Sequence, residues 1–167
     1  MAQLQTNQFH LLQLMTINGI KLKLIHDDFM KVKSSSVTHI NLDPSCSGSG
    51  LHTHHNRVSK EPSRLEKLTG MQKTLLQHAV TQFPNVQVVC YSTCSVFEEE
   101  NEQVVTDILN RAPTFAVDSN APAWIAPFRK GAFFQTTPEK HGCRGFFLAK
   151  LRKTATKKPV KLASTRR

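Results

Sequence analysis

The sequence contains no apolar run long enough to cross a bilayer, and its first residues lack the basic segment and apolar core of a signal peptide. It has only four cysteines, none in the C-x-x-C spacing of zinc knuckles or redox motifs. Glycine is scarce, at seven residues, and neither a G-x-G-x-x-G fingerprint nor a P-loop is present. These absences predict a globular chain with no membrane partner, free thiols and a reducing compartment.

Positive charge is concentrated near the C-terminus. The formal net charge is +10, from 22 Lys and Arg against 12 Asp and Glu. Eight basic and no acidic residues lie between Lys150 and Arg167, so residues 1–149 carry 14 basic and 12 acidic residues, a net charge of +2. We therefore expect a nearly neutral body, residues 1–152, and a disordered basic tail, residues 153–167. Such a tail either attracts phosphate and directs nuclear import or is simply solvated.

Apolar periodicity predicts alternating strands and helices. The predicted strands are, in chain order, residues 20–28, 37–43, 86–92, 114–118 and 145–151. Capping boxes that begin at Ser63 and Ser95 predict two helices, because each serine is followed three residues later by glutamate. Residues 119–144 give no regular pattern. Strands alternating with helices are typical of an α/β sheet with helices on its faces.

Polar residues follow three predicted strands, and ligands of open α/β sheets bind at such carboxyl ends. The three clusters are Asp27-Asp28, Asp43-Pro44-Ser45-Cys46 and Ser92-Thr93-Cys94-Ser95. Cys94 directly precedes the predicted N-cap Ser95, where unpaired amides and the helix dipole lower a thiol's pKa. Cys46 follows another strand, close to Asp43, whose carboxylate is suited to proton transfer. These clusters predict a nucleophilic enzyme site, whereas Cys90 is interpreted as a small buried hydrophobe.

Other residue groups carry weaker predictions. Two thiols and a histidine cluster could form a zinc site from Cys90, Cys94, His52, His54 and His55. The thiols lack zinc-knuckle spacing, so we expect no metal. Two aromatic pairs are candidates for stacking RNA bases, Phe133-Phe134 and Phe146-Phe147. Core packing is the favoured interpretation for the second pair.

Two stretches, NLDPSCSGSG (41–50) and CYSTCSVFEEENEQVV (90–105), resemble the motifs of the Sun-domain RNA cytosine methyltransferases. The resemblance extends to three further stretches, IHDDF (25–29), APAW (121–124) and GFFLAKL (145–151). It covers roughly residues 10–152 and is most similar to the branch that modifies large-subunit ribosomal RNA. The resemblance implies methyl transfer from S-adenosylmethionine to carbon 5 of a cytosine, with RNA as partner and a nuclear or nucleolar location.

The resemblance also implies roles for individual residues. Cys94 matches the nucleophile that attacks carbon 6 of the flipped-out cytosine, and Cys46 matches the cysteine that assists breakdown of the adduct. Asp28 matches a position beside the adenine of the cofactor, with Asp27 as the alternative register. The implied cofactor contacts are Asp28 and Asp43, and the implied base contacts are Asp43, Pro44 and Ser45.

The sequence departs from the family upstream of IHDDF. The glycine-rich cofactor loop and its strand are missing there, and the single glycine before Asp27 is Gly19. We therefore expect a partial, Rossmann-like S-adenosylmethionine-dependent methyltransferase sheet that lacks its first strands, in the C-terminal part of a catalytic domain. A non-catalytic RNA-binding or ribosome-assembly fragment is the alternative function.

Overall fold

The computed structural model describes residues 25–51 and 60–154, and the chain divides into two compact units, residues 1–32 and 33–167. In the first unit the described residues form one 3₁₀-helix, Phe29–Lys31, which Asp28 caps by accepting a hydrogen bond from the Met30 amide at 3.0 Å. The strand predicted for residues 20–28 is wrong over residues 25–28, and residues 20–24 lie outside the described part of the chain.

The reason for the missing strand is local hydrogen bonding by two aspartates. The Asp28 amide donates to the Asp27 carboxylate at 2.7 Å, and the Asp28 carboxylate accepts from the Met30 amide at the start of the 3₁₀-helix. Short acidic side chains that bind nearby amides compete in this way with the hydrogen bonds of a strand. The alternating apolar pattern therefore does not form a strand at this position.

The second unit is built on a six-stranded mixed sheet. Its strands are β1 (His39–Leu42), β2 (Val88–Thr93), β3 (Phe115–Val117), β4 (Arg129–Lys130), β5 (Phe133–Thr136) and β6 (Phe146–Lys153). The strand order is β1-β2-β6-β5-β4, and β3 pairs with the end of β6. β1 and β2 run parallel, whereas the other pairs are antiparallel. Four of the five predicted strands are thus confirmed, namely those that became β1, β2, β3 and β6.

Helices pack beside this sheet. They are α1 (Pro62–Thr81), α2 (Glu102–Arg111), the short α3 (Pro138–His141) and a second 3₁₀-helix, Ala123–Phe128. α1 packs on β1 and β2, and α2 packs on α1.

Neither predicted capping box forms. α1 begins earlier, at Pro62, because proline suits a first helical position that needs no N–H partner. Among the described residues, no helix combines the length and apolar character needed to cross a membrane.

Alternation along the central strands buries one face of the sheet. On β2 and β6 the fully buried side chains are Val89, Tyr91, Thr93, Phe147, Ala149 and Leu151. The intervening residues of these strands, such as Cys90 and Leu148, stay partly accessible on the opposite face. Each fully buried large apolar side chain contributes about 1.5–3 kcal/mol. The same alternation aims the last residues of β2 alternately into the core and toward the opposite face.

Residues 119–144, predicted to be irregular, contain the second 3₁₀-helix, the β4–β5 hairpin and α3. The hairpin turns at Gly131, whose φ is +62°, and α3 ends at Gly142, whose φ is also +62°. These elements are too short to produce a periodic pattern, so the prediction was wrong. Of the aromatic pairs, Phe133 and Phe134 are buried rather than free to stack on bases, and core packing is confirmed for Phe147 but not for Phe146, which is 44% exposed.

Candidate active site

Two thiols meet at the carboxyl ends of the parallel strands. Cys46 lies in the loop after β1, and Cys94 directly follows β2. The Cys46 and Cys94 sulfur atoms are 3.1 Å apart, within hydrogen-bonding distance, and both thiols are free and half-buried. Cys90 is half-buried within β2, and Cys143 is exposed. The structure therefore brings together the two cysteines predicted to be catalytic and leaves the other two apart from that pair.

Backbone hydrogen bonds fix the two thiol loops to each other and to β6. The Gly50 amide donates to the Cys94 carbonyl at 2.9 Å, and the Gly145 amide donates to the Gly50 carbonyl at 2.8 Å. A Cβ atom on Gly50 would lie 2.3 Å from the Gly145 carbonyl oxygen, a distance that atoms do not tolerate. Glycine is therefore required at this crossing of three chain segments.

Serine hydroxyls add a second set of bonds between the loops. The Ser49 and Ser95 hydroxyl oxygens are 3.0 Å apart, and the Ser49 hydroxyl accepts from the Val96 amide at 3.0 Å. The Ser95 hydroxyl accepts from the Phe97 amide at 3.0 Å, which holds a local turn. Ser95 therefore does not cap a helix, and the second predicted capping box is wrong.

Glu100 joins the Cys46 loop to α1. One carboxylate oxygen of Glu100 accepts from the Ser47 amide at 2.8 Å and from the Gln72 side chain at 3.1 Å, and the other accepts from the Ser47 hydroxyl at 2.6 Å. Gln72 also donates to the Ser45 carbonyl at 3.0 Å. Glu100 and Gln72 are fully buried, so this carboxylate is satisfied by three donors without solvent.

Sequence reasoning missed Glu100 and Gln72. A usable signal existed for each: Gln72 is a polar residue on the apolar face of α1, and Glu100 ends the acidic run Glu98–Glu100, which begins four positions after Cys94. A buried polar residue within an apolar stripe marks a specific hydrogen bond.

Three further residues shape the loop after β2. The Thr93 hydroxyl donates to the Asn101 side-chain oxygen at 2.5 Å, and the Asn101 side-chain amide donates to the Ser95 carbonyl at 2.9 Å. The Tyr91 hydroxyl donates to the Glu100 carbonyl at 2.6 Å. All of these groups are fully buried, so the Cys94 backbone is held from both sides by a satisfied polar network.

Burial controls the protonation of Cys46. Removal from water, and then the hydrogen bond with Cys94, raises the pKa of the Cys46 thiol from 9.0 to about 11. Cys46 is therefore a neutral thiol at neutral pH and can donate its proton toward the Cys94 sulfur. The predicted effect of a helix dipole on Cys94 is wrong, because α2 begins only at Glu102 and the dipole acts within about one turn of the helix end.

The other predicted site residues differ in exposure and in the unit to which they belong. Asp43 is exposed beyond the end of β1, and its carboxylate accepts from the Ser92 hydroxyl at 3.2 Å. Pro44 is buried, and Ser45 is exposed except for its carbonyl bond to Gln72. Asp28 belongs to the first unit, where its carboxylate caps the first 3₁₀-helix.

The predicted zinc alternative finds no support in the second unit. The histidines concerned, His52, His54 and His55, lie outside the described residues. Within residues 25–51 and 60–154, no three His, Cys, Asp or Glu side chains form a group that could hold a metal ion. Among the described residues, the reactive groups at the strand ends are the thiols of Cys46 and Cys94 and the exposed carboxylate of Asp43.

Two neighbouring thiols at the carboxyl ends of parallel strands lie where an enzyme of the α/β class is expected to place a nucleophilic site. A sequence model of the family described as "16S rRNA methyltransferase RsmB/F" matches residues 4–152. The chain therefore belongs to the RsmB/F methyltransferase family, which confirms the family predicted from the two cysteine motifs.

Curated relatives bear related names. The chain is 38% identical over 150 residues to the 25S rRNA (cytosine-C(5))-methyltransferase rcm1 of Schizosaccharomyces pombe. The matched region covers 75% of this chain and 32% of that protein. It is 37% identical over 144 residues to the 28S rRNA (cytosine-C(5))-methyltransferase of Mus musculus, with 76% and 30% coverage. The chain thus spans about a third of the length of these relatives.

Solved structures confirm the predicted fold class. A methyltransferase homolog protein from Pyrococcus horikoshii matches with a TM-score of 0.61 and 27% identity, over 88% of this chain and 50% of that one. The structure of NSun6 from Pyrococcus horikoshii with SFG matches in fold with a TM-score of 0.68 and 23% identity, over 91% and 40%. The sheet is therefore part of an S-adenosylmethionine-dependent methyltransferase fold.

The described residues fit one part of such a cofactor. Asp43 offers an exposed carboxylate at the strand end where ligands of this fold class bind, and a single hydroxyl, that of Ser92, donates to it. No glycine-rich loop follows a strand ahead of β1 among residues 25–38. Asp43 is therefore an acceptor that suits the polar groups of such a cofactor, whereas a glycine-rich cofactor loop is not among residues 25–38.

Proposed function

We propose that this chain carries the catalytic cysteine pair of an S-adenosylmethionine-dependent RNA cytosine-carbon-5 methyltransferase that acts on large-subunit ribosomal RNA. The supporting observation is the 3.1 Å separation of the Cys46 and Cys94 sulfur atoms at the carboxyl ends of β1 and β2. Membership of an rRNA methyltransferase family gives the reaction class. The ribosomal RNA target follows from the names of the relatives.

Cys94 is the nucleophile in this proposal. Its thiol gives up its proton to solvent, its sulfur adds to carbon 6 of a cytosine that has left its base stack, and the electrons of the 5,6 double bond move to carbon 5. Carbon 5 thereby gains the nucleophilic character that free cytosine lacks. S-adenosylmethionine, when bound, supplies an electrophilic methyl group to that carbon.

Cys46 acts after methylation. The hydrogen on carbon 5 leaves as a proton, which the exposed carboxylate of Asp43 accepts and passes to solvent, and the electron pair released then expels the Cys94 sulfur from carbon 6 and restores the double bond. Cys46 assists this elimination, because its neutral thiol lies in contact with the Cys94 sulfur and can donate a proton to the leaving thiolate. The Cys94 sulfur thus forms the bond to the base, and the Cys46 thiol protonates that sulfur as it leaves.

Four further residues are assigned to the two substrates. Asp43, with Pro44 and Ser45, contacts the target base, since these residues directly precede Cys46 in the loop after β1. Asp43 accepts hydrogen bonds from polar groups of S-adenosylmethionine, and Asp28 matches a cofactor-contacting position of the family. Carboxylates suit this role because they accept hydrogen bonds from ribose hydroxyls and from amino groups.

The basic tail adds sequence-independent attraction for RNA phosphates. The proposed location of the protein is the nucleus or nucleolus.

Trapping of a covalent adduct tests the proposal. The full chain is incubated with S-adenosylmethionine and an RNA in which cytosine carries fluorine on carbon 5, so that the proton loss needed for release cannot occur. We expect a complex that survives denaturing electrophoresis. Salt-sensitive RNA binding without an adduct and without affinity for the cofactor would instead support a non-catalytic RNA-binding role.

A further inference from the structure

An apolar cavity outside the thiol site lies between the second 3₁₀-helix and strands β5 and β6. It has a volume of about 310 Å³ and is lined chiefly by Trp124, Ile125, Phe128, Phe134, Phe146 and Leu148. Trp124 is 72% exposed and Phe146 is 44% exposed, although both are large apolar side chains. A cavity of this size is at the lower limit of ordinary ligand sites, and its walls supply ring faces rather than hydrogen-bond donors.

The cavity lies at the same end of the sheet as the thiols. Phe147 pairs with Thr93, the residue before Cys94, so β6 begins beside the end of β2. Phe147 points into the core, and its neighbour Phe146 therefore occupies the opposite face, where it forms a wall of the cavity. A nucleic acid strand whose base reaches Cys94 would therefore pass close to this wall.

The segment around the cavity is positively charged. Residues 119–144 contain four basic residues and one acidic residue. The Arg129 guanidinium lies 5.3 Å from the centre of the Phe134 ring, directly at the cavity wall. Arg144 is exposed, and its carbonyl accepts from the hydroxyl of Thr136, another lining residue. Aromatic faces bordered by cationic side chains are the usual combination for single-stranded nucleic acid.

We propose that this cavity binds an unpaired base of the RNA substrate, adjacent to the target cytosine, and that the base stacks on Trp124. The occupant is an RNA base because the walls are aromatic, the border is basic and the site adjoins the thiol loops. The identity of the RNA as substrate rests on the proposed function, whereas stacking itself needs no methyl transfer. The cavity holds the RNA beside the target cytosine. One base is stacked on Trp124 while the neighbouring cytosine is presented to Cys94.

Fluorescence tests the inference directly, because Trp124 is the only tryptophan in the sequence. The full chain is titrated with a short single-stranded oligoribonucleotide and with an abasic oligomer of equal length and charge. We expect saturable quenching with the first and no quenching with the second, since only the first has bases to stack. Equal responses to both oligomers, or none to either, would overturn the inference. So would emission that changes only with protein concentration, which would indicate a second copy in the cavity.

Matched variants separate stacking from folding. Trp124→Ala is expected to weaken binding of dye-labelled single-stranded RNA by about 5- to 150-fold, measured by anisotropy, the range expected for loss of one stacked base. Trp124→Phe, which keeps a ring, is expected to retain most of the affinity. Met71→Ala removes another exposed apolar side chain, on α1, and is expected to change nothing. An unchanged affinity for Trp124→Ala contradicts the inference.

The same reagents distinguish this inference from the proposed function. The Cys94→Ala variant is expected to lose adduct formation while Trp124 is still quenched by RNA. Adduct formation by the parent chain without quenching refutes the stacking site and leaves the methyltransferase assignment intact. Quenching without any adduct refutes the proposed catalytic function of this chain and leaves the stacking site intact.

Discussion

The sulfur of Cys46 lies 3.1 Å from the sulfur of Cys94, although 48 positions separate the two residues in the sequence. The contact depends on parallel pairing of β1 with β2, which places both strand ends at one edge of the sheet. Because each thiol is the other's hydrogen-bond partner, a change at one alters the chemistry of both. The two cysteines therefore need to be tested separately.

Substitution of the two cysteines is expected to give opposite results with RNA. Cys94→Ala removes the nucleophile and abolishes the covalent complex with 5-fluorocytosine RNA. Cys46→Ala leaves the nucleophile in place but removes the proton donor, so a covalent complex accumulates even with ordinary cytosine RNA. Denaturing electrophoresis measures both. Cys143→Ala, which removes an exposed thiol, is the matched control and behaves as the parent. Undiminished trapping by Cys94→Ala would show that another residue attacks the base.

Alkylation of Cys46 is expected to be slow at neutral pH and to accelerate as the pH approaches 11. The pKa of Cys46 is raised from 9.0 to about 11, so its thiolate fraction near pH 8 is lower than that of an unperturbed thiol by on the order of a hundredfold. Timed iodoacetamide treatment and peptide mass spectrometry measure the rate, with the exposed Cys143 as internal reference. Equal rates at the two cysteines at pH 8 would contradict the expectation.

The same pKa shift has a consequence for stability. Between pH 9 and 11 the thiol of Cys46 ionises in the unfolded chain but remains protonated in the folded one. The free energy of unfolding contributed by this group is therefore fully present below pH 9 and is lost as the pH rises through about 11. Denaturant unfolding of the parent and of Cys46→Ala across this range measures the effect. A difference between them that does not change with pH contradicts it.

Glu100→Gln is expected to loosen the Cys46 loop. The substitution replaces a carboxylate that accepts from Ser47 twice and from Gln72 by an amide with a single acceptor oxygen, so at least one buried donor loses its partner. We expect a loss of about 1–3 kcal/mol in the free energy of unfolding and faster alkylation of Cys46. Glu98→Gln, at an exposed side chain, is the control and is expected to have little effect. Unchanged alkylation would show that Glu100 does not hold the loop.

Two glycine substitutions are expected to have opposite effects on stability. Gly50→Ala places a Cβ atom 2.3 Å from the Gly145 carbonyl oxygen, so the crossing of the loops must open, at a cost of about 1–3 kcal/mol. Gly70→Ala lies within α1, where a new Cβ atom meets nothing within 4 Å, and is expected to stabilise the helix by about 0.5–1 kcal/mol. Thermal unfolding of both variants measures the contrast. A stabilising Gly50→Ala would show that the glycine contact is not required.

The sequence predicted the strands of the central sheet and the position of both thiols at strand ends. β1, β2 and β6 were predictable because their apolar residues form short runs bounded by turn residues, and parallel strand ends necessarily adjoin. The Glu100 cluster could not be predicted in detail, because its partners Ser47 and Gln72 lie 53 and 28 positions away in the sequence. Only the packing of α1 against the loops creates those bonds. The start of α2 was misplaced because Ser95 satisfies a nearer amide.

The hydrogen bonds from Gly145 to Gly50 and from Gly50 to Cys94 have a consequence for biosynthesis. One of the three segments that position the nucleophile comes from the last strand of the sheet, which leaves the ribosome after every other part of the site. A nascent chain that has already emerged through Cys94 therefore still has an unsupported nucleophile loop. On the proposed mechanism, reactivity toward bases is therefore expected only once translation of the sheet is finished.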